Sequence, residues 1–223
     1  MLCDNCNHQA NPVVAVDIDG TIAEYHATLF MFIFQYFDLS PRILRECMTE
    51  DSLVCLWDGS GNFEDFIGIS STEYREAKLA FRQGGHKRWM PVYPNARVMV
   101  DTFHEAGVDL WFTTTRPWQR LDNVDPDTRE WLRRKGFGYH GLLYDEDKYA
   151  KLIDIVGQDR VVAIIDDLPE MVTRARDLGL YALQVARIHN SHLGQMKQPR
   201  VSLTTATSIT VKRISEWRMA NDR

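Results

Sequence analysis

Val13-Val14-Ala15-Val16-Asp17-Ile18-Asp19-Gly20-Thr21 is a run of small and branched apolar residues that ends abruptly in two carboxylates, a glycine and a threonine. A short apolar run with a polar stop reads as a buried strand meeting a loop. In extended chain alternate side chains share a face, so Asp17 and Asp19 look toward one point, and Gly20 leaves the backbone room for a sharp turn. Two convergent carboxylates at a strand end suit phosphoryl chemistry, in which one group attacks and the other moves protons.

Working outward, similar runs recur at Val108 to Phe112 and Val161 to Ile165, each followed at once by polar residues, with a shorter strand at Gly141 to Tyr144. Helix punctuation lies between them. Ala96 to Glu105 closes at Gly107, Pro126 to Lys135 at Gly136, and Pro169 to Leu178 at Gly179. The alternation predicts an α/β fold, a Rossmann-like doubly wound parallel sheet that binds ligands beyond the carboxyl ends of its strands. Residues 12–21 and 92–186 form the expected core.

Residues 22–91 interrupt the alternation and are expected to form a mostly helical cap inserted after the first strand. Thr28 to Phe37 is apolar and aromatic, Ser40-Pro41 suits a helix start, and Ser70 with Glu73 suits a capping box before a helix that stops at Gly84-Gly85. Residues 187–223 are a polar tail expected to pack on the core, with a last helix near Thr210 to Met219.

A formal charge of -5 argues against a surface that grips polyanions throughout, while leaving room for a local basic patch. Met1 to Asn11 carries no basic-then-apolar signal pattern, and no apolar run reaches the ~20 residues of a membrane span, so the expected location is the cytoplasm. Cys3, Cys6, Cys47 and Cys55 do not make a secreted disulfide scaffold. Cys3, Cys6 and His8 look like half a zinc knuckle, set against the plainer reading of a frayed terminus with free thiols.

Asp17-Ile18-Asp19-Gly20-Thr21 resembles the nucleophile motif, D-x-D-G-T, of the haloacid dehalogenase-like phosphohydrolase superfamily. Three further segments, in the order found in that family, extend the likeness from Val13 to Val185. Thr113-Thr114-Thr115-Arg116-Pro117 resembles the second motif, whose hydroxyl binds the transferring phosphoryl group. Thr114 is the choice there, and three consecutive threonines leave the register open by one. Lys148 fits the lysine of the third motif, with Lys151 as its rival. Ile165-Asp166-Asp167 fits the fourth.

The resemblance implies a nucleophilic Asp17 that forms an aspartyl-phosphate. Asp19 would protonate the leaving group and then activate water. Gly20, Thr21, Thr115 and Arg116 would meet the substrate. Mg2+ would be held by Asp17, the carbonyl of Asp19, Asp166 and Asp167. So many carboxylates in one place call for a cation on electrostatic grounds.

The narrower layout looks most like nucleotidases and the phosphatase domain of polynucleotide kinase-phosphatases. The expected partner is thus a small phosphate ester such as a nucleotide, or a nucleic-acid end with a terminal 3′-phosphate, and no membrane. Phe30, Phe32, Phe34, Tyr36 or Trp57 are candidates to stack on a base, and Arg82, His86, Lys87 and Arg88 to meet a second phosphate; core packing and a solvated helix end compete with these readings. No G-x-x-x-x-G-K-[ST] loop is present, so no kinase half is expected. The alternatives are a non-nucleotide metabolite phosphate, or a protein that binds a phosphorylated ligand or partner without turnover.

Overall fold

The computed structural model describes residues 10–40, 42, 67–193 and 199–221. The cysteines, His8, Trp57 and Pro41 lie outside the described residues; of the helix start expected at Ser40-Pro41, Ser40 Oγ accepts from the Arg42 backbone N–H at 3.2 Å.

The strands are β1 (Val13–Asp17), β2 (Asp109–Thr114), β3 (Gly141–Tyr144), β4 (Val161–Asp166), β5 (Ala182–Val185) and β6 (Arg200–Val201). They form one six-stranded sheet in the order β3-β2-β1-β4-β5-β6, and every neighbouring pair is parallel. β1 sits centrally with all of its residues buried. The order reverses beside β1, where the chain leaves toward β2 and later returns to place β4 on the other side. A reversal of that kind opens a crevice at the carboxyl ends of the two strands, and Asp17 and Asp166 stand at those ends.

Side-chain alternation along β1 divides the core into two layers. Val14 and Val16 join Phe103, Leu110, Phe112, Trp131 and Ile214 on one face; Val13 and Ala15 join Tyr149, Leu152, Ile164, Val172 and Ala175 on the other. The first layer is covered by helices α3 (Ala96–Glu105), α4 (Val124–Lys135) and α7 (Leu203–Asn221), the second by α5 (Lys148–Val156) and α6 (Pro169–Asp177). Among the described residues no helix is long and apolar enough to cross a membrane.

Helices α1 (Tyr25–Tyr36) and α2 (Ser71–Gln83) follow the β1 loop. They extend the first layer through Leu29, Phe30, Ile33, Phe34, Ala77 and Phe81. Ser70 and Glu73 form the reciprocal capping box expected of them. α4 begins at Val124, ahead of Pro126, which sits in the first turn where no intrahelical donor is needed. α7 begins at Leu203, well before Thr210. Its buried Leu203, Ala206, Thr210 and Ile214 keep helical spacing through a threonine-rich opening.

Candidate active site

Asp17 ends β1 beside Thr113 of β2 and the end of β4. Lys148, the first residue of α5, brings its buried ammonium to both strands: Nζ donates to Asp17 Oδ1 and lies 2.8 Å from Asp166 Oδ2. Lys151 is exposed, so of the two lysines Lys148 is the one at this centre. Asp166 also accepts from the Tyr149 hydroxyl and, through Oδ1 at 2.8 Å, from the backbone N–H of Leu168.

Asp167 is buried with Asp166. Its Oδ1 accepts from the Thr21 hydroxyl at 2.7 Å, and its Oδ2 meets His189 Nε2 at 2.6 Å. Oxygens of Asp17, Asp166 and Asp167 all lie within 4.8 Å of one another. Burial raises the Asp17 carboxyl well above its ordinary range, and Asp166 and Asp167 add to this against the pull of Lys148. Burial and Asp167 raise Asp166 in the same way. Burial would raise Asp167 too, but His189 and Thr21 hold it below the ordinary range. A buried carboxylate trio with one ammonium retains excess negative charge. That is the donor set a hard divalent cation takes, so these residues fit magnesium.

The carboxylate of Asp19 turns away from this trio toward cations. Arg116 donates to it through Nε at 2.8 Å and Nη2 at 2.5 Å, and Lys87 Nζ approaches to 2.5 Å. Burial opposes ionisation, but the two cations overcome it and hold Asp19 far below the usual carboxylate range. Burial and the charge of Arg116 in turn bring Lys87 down to about 7, against the pull of Asp19.

Gly20 has φ +92°, and a Cβ there would come within 2.2 Å of Asp167 Oδ2, so the loop requires glycine. Thr21 is spent on Asp167. The Thr114 hydroxyl accepts from the Arg116 backbone N–H at 3.3 Å. Thr115 is exposed and, with Arg116, Trp118, Tyr144 and Glu146, lines a cleft of about 270 Å³.

Lys87, one of the basic residues expected near a second phosphate, lies in the short turn His86–Trp89. Three other residues of the site escaped sequence reading. Arg187 donates to the carbonyls of Gly20 (2.8 Å) and Thr21 (2.5 Å) and lies over the Tyr93 ring at 3.8 Å. His189 packs its ring 4.1 Å from that of His26, and Asn190 Nδ2 donates to the Asp167 carbonyl at 2.9 Å. All three follow β5, in what read as a featureless tail.

The aromatic run of α1 is mostly structural. Phe30 and Phe34 are buried in the core, and Phe32 packs between Phe81 and His86. Among the four basic residues expected near a second phosphate, Arg88 is paired with Asp127, and His86 stacks on Phe81 at 5.4 Å.

No family model matches the sequence, and no curated protein matches it. Solved structures do. A predicted phosphoglycolate phosphatase of Haemophilus somnus 129pt is 14% identical, with a TM-score of 0.58 over 92% of this chain and 100% of that one. A haloacid dehalogenase-like family hydrolase of Streptococcus pneumoniae is 13% identical, with a TM-score of 0.51 over 89% and 98%. A Bacillus subtilis protein assigned as a HAD-hydrolase and solved with magnesium bound is 12% identical, with a TM-score of 0.54 over 91% and 99%. At these identities the likeness is one of fold, and the chain has the fold of the haloacid dehalogenase-like hydrolases.

Proposed function

We propose that the protein is a magnesium-dependent phosphomonoesterase that works through an aspartyl-phosphate. The observation that carries this reading is the buried centre at the strand ends: Asp17, paired with Lys148, within 4.8 Å of the oxygens of Asp166 and Asp167. The fold shared with solved hydrolases, one described as a phosphoglycolate phosphatase and one bound to magnesium, supports it.

Asp17, Asp166 and Asp167 would hold the cation, with a backbone carbonyl from Asp19. When bound, magnesium offsets charge on the transferring phosphoryl oxygens and keeps Asp17 ionised. An Asp17 oxygen attacks phosphorus, the ester oxygen leaves, and water later cleaves the acyl phosphate to regenerate Asp17. Lys148 aims Asp17 and offsets its charge. Thr114 and Arg116 would bind phosphoryl oxygens.

Asp19 is poised first as an ionised group. A phosphate that draws Arg116 or Lys87 toward itself raises the proton affinity of Asp19, which can then serve as leaving-group acid and afterwards as base toward water. The exposed Trp118, with its ring 6.0 Å from that of Tyr144, lines the same cleft as Arg116 and is a candidate to stack on a base. That favours a nucleotide, or a nucleic-acid terminal phosphate, as the substrate.

The test is phosphate release with and without magnesium across nucleoside 5′- and 3′-monophosphates, a 3′-phosphorylated oligonucleotide and simple sugar phosphates. Turnover that is lost both in Asp17→Asn and on chelation is expected. Turnover that survives Asp17→Asn would overturn the mechanism.

A further inference from the structure

The cap brings a second group of cations to the site. Lys87 contacts Asp19 and lies over the Tyr25 ring at 4.5 Å. Arg82, in the last turn of α2, has its Nε buried with no hydrogen-bond partner among the described residues, and the Tyr25 hydroxyl is buried in the same condition. Tyr25 is 8% exposed, so water does not answer for that hydroxyl. The two groups share one environment: Tyr25 feels the charges of Arg82, Asp19 and Arg116, and Lys87 feels those of Arg116 and Arg82. Lys78 stands one turn before Arg82, and burial together with the charge of Arg82 lowers it.

Lys87 and Arg116 both contact Asp19, and the charge of Arg82 acts on Lys78, Lys87 and Tyr25 beside them. Like charges half-buried together are unfavourable unless an anion joins them. Asp19 is already shared by Arg116 and Lys87, and among the described residues no carboxylate is paired with Arg82. A buried phenol and a buried guanidinium nitrogen, both lacking an acceptor, also call for one.

This corner is held in place. Asn123 Nδ2, ahead of α4, donates to the Arg82 carbonyl at 2.6 Å and to Asp127 Oδ2 at 2.7 Å. Asp127 also takes Arg88, and Trp131 Nε1 of α4 donates to the Met90 carbonyl at 2.8 Å. The end of α2 and the turn bearing Lys87 are therefore fixed to α4, and the cations are positioned before any ligand arrives.

We propose that Tyr25, Arg82 and Lys87 form a subsite for a second anionic group of the substrate, a phosphate or carboxylate on the leaving-group side. The substrates are then phosphate monoesters with a second negative group, not singly anionic ones. This rests on the phosphatase reading of the aspartate centre and adds a demand for charge at a separate point.

The experiment uses the full chain with magnesium and substrates matched in skeleton: 2-phosphoglycolate against 2-hydroxyethyl phosphate, and a nucleoside 3′,5′-bisphosphate against its 5′-monophosphate. The readout is the ratio of kcat/KM within each pair, so that a general loss of activity cancels. At least one pair should favour the doubly anionic member by about tenfold or more, the size of a charge-assisted hydrogen bond. Arg82→Gln should bring that ratio toward one, Tyr25→Phe should lower it in part, and Arg82→Lys should keep more of it than Arg82→Gln. The first pair reports a carboxylate and the second a phosphate.

Ratios near one in the wild type, or a ratio unchanged in Arg82→Gln, overturn the subsite. Silence toward every ester, together with calorimetric binding of the doubly anionic compounds that Arg82→Gln weakens, would sink the phosphatase reading and keep the subsite. Silence without such binding overturns both.

Discussion

Arg116 grips Asp19 through both carboxylate oxygens, Nε to Oδ2 at 2.8 Å and Nη2 to Oδ1 at 2.5 Å. Its remaining amino group donates to Thr128 Oγ1 at 2.6 Å, and that hydroxyl donates to the Val124 carbonyl at 2.6 Å, so α4 sets the direction of the fork. The fork reaches across 97 residues of sequence and ties the β1 loop to the end of β2.

Lysine cannot reproduce that geometry, because a point charge makes one good contact where the guanidinium makes two. Arg116→Lys should destabilise the protein by about 1–3 kcal/mol, the usual cost of a lost charge-assisted contact in a buried place. Asp19→Asn should cost more, about 3–5 kcal/mol, since it leaves Arg116 and Lys87 buried with no counter-charge. Urea unfolding of the two variants checks the ranking. An Arg116→Lys protein as stable as the parent would mean that the fork contributes nothing to the fold.

Magnesium should stabilise the protein in a pH-dependent way with a defined sign. Asp17 and Asp166 titrate above their ordinary 3.8 in the folded chain. Such groups contribute stability that is complete below the unfolded value and lost as pH rises through the folded one. The magnesium-free protein therefore carries an increasing cost from these two carboxyls as pH rises above about 4. The cation removes that cost and competes with the same protons. The rise in Tm on adding magnesium should be greatest at neutral pH and above, about 5–10 °C at a hundredfold excess over Kd, and should fade toward pH 4. Differential scanning calorimetry with and without the ion isolates this difference from every other titration. A pH-independent rise would show that the ion binds elsewhere.

Gly20→Ala places a methyl carbon 2.2 Å from Asp167 Oδ2, on backbone at φ +92° that a side chain resists. Strain of that kind costs about 1–3 kcal/mol, and the displaced Asp167 would lose its hold on Thr21 and His189. Magnesium affinity should fall about tenfold to a hundredfold, as it does when a group that orients a metal ligand is removed. Isothermal titration with magnesium is the check, and an unchanged Kd would remove Asp167 from the ion's surroundings.

Sequence reading reached the central strands because each is a buried apolar run with a polar stop, a contrast that survives without any knowledge of neighbours. It reached α3 to the residue because Gly107 supplies the positive φ that ends the helix. β5 was not legible: Ala182-Leu183-Gln184-Val185 is short and carries a glutamine whose burial only the fold reveals. Arg187 and His189 were missed for a related reason. A polar residue in a loop reads as solvated, and what draws these two inward is contact with the β1 loop, Tyr93 and Asp167, far from them in the chain.

Lys148 and Lys151 stand three positions apart on α5, and the fold separates them completely: the first is 1% exposed and the second faces solvent. Lys148→Met leaves Asp17 and Asp166 confronting one another with no ammonium between them. Removing one partner from a buried ion pair usually costs about 3–5 kcal/mol. Because magnesium would replace part of the missing positive charge, the loss in stability should shrink when the ion is present. Turnover should not recover, since the ion cannot take over the lysine's grip on the Asp17 oxygen. Lys151→Met should change stability by no more than about 0.5 kcal/mol, as surface substitutions do, and leave phosphate release as it was. Measuring unfolding and phosphate release for both variants, with and without magnesium, separates charge from position. A Lys148→Met enzyme restored to parental turnover by magnesium would reduce that lysine to a counter-ion.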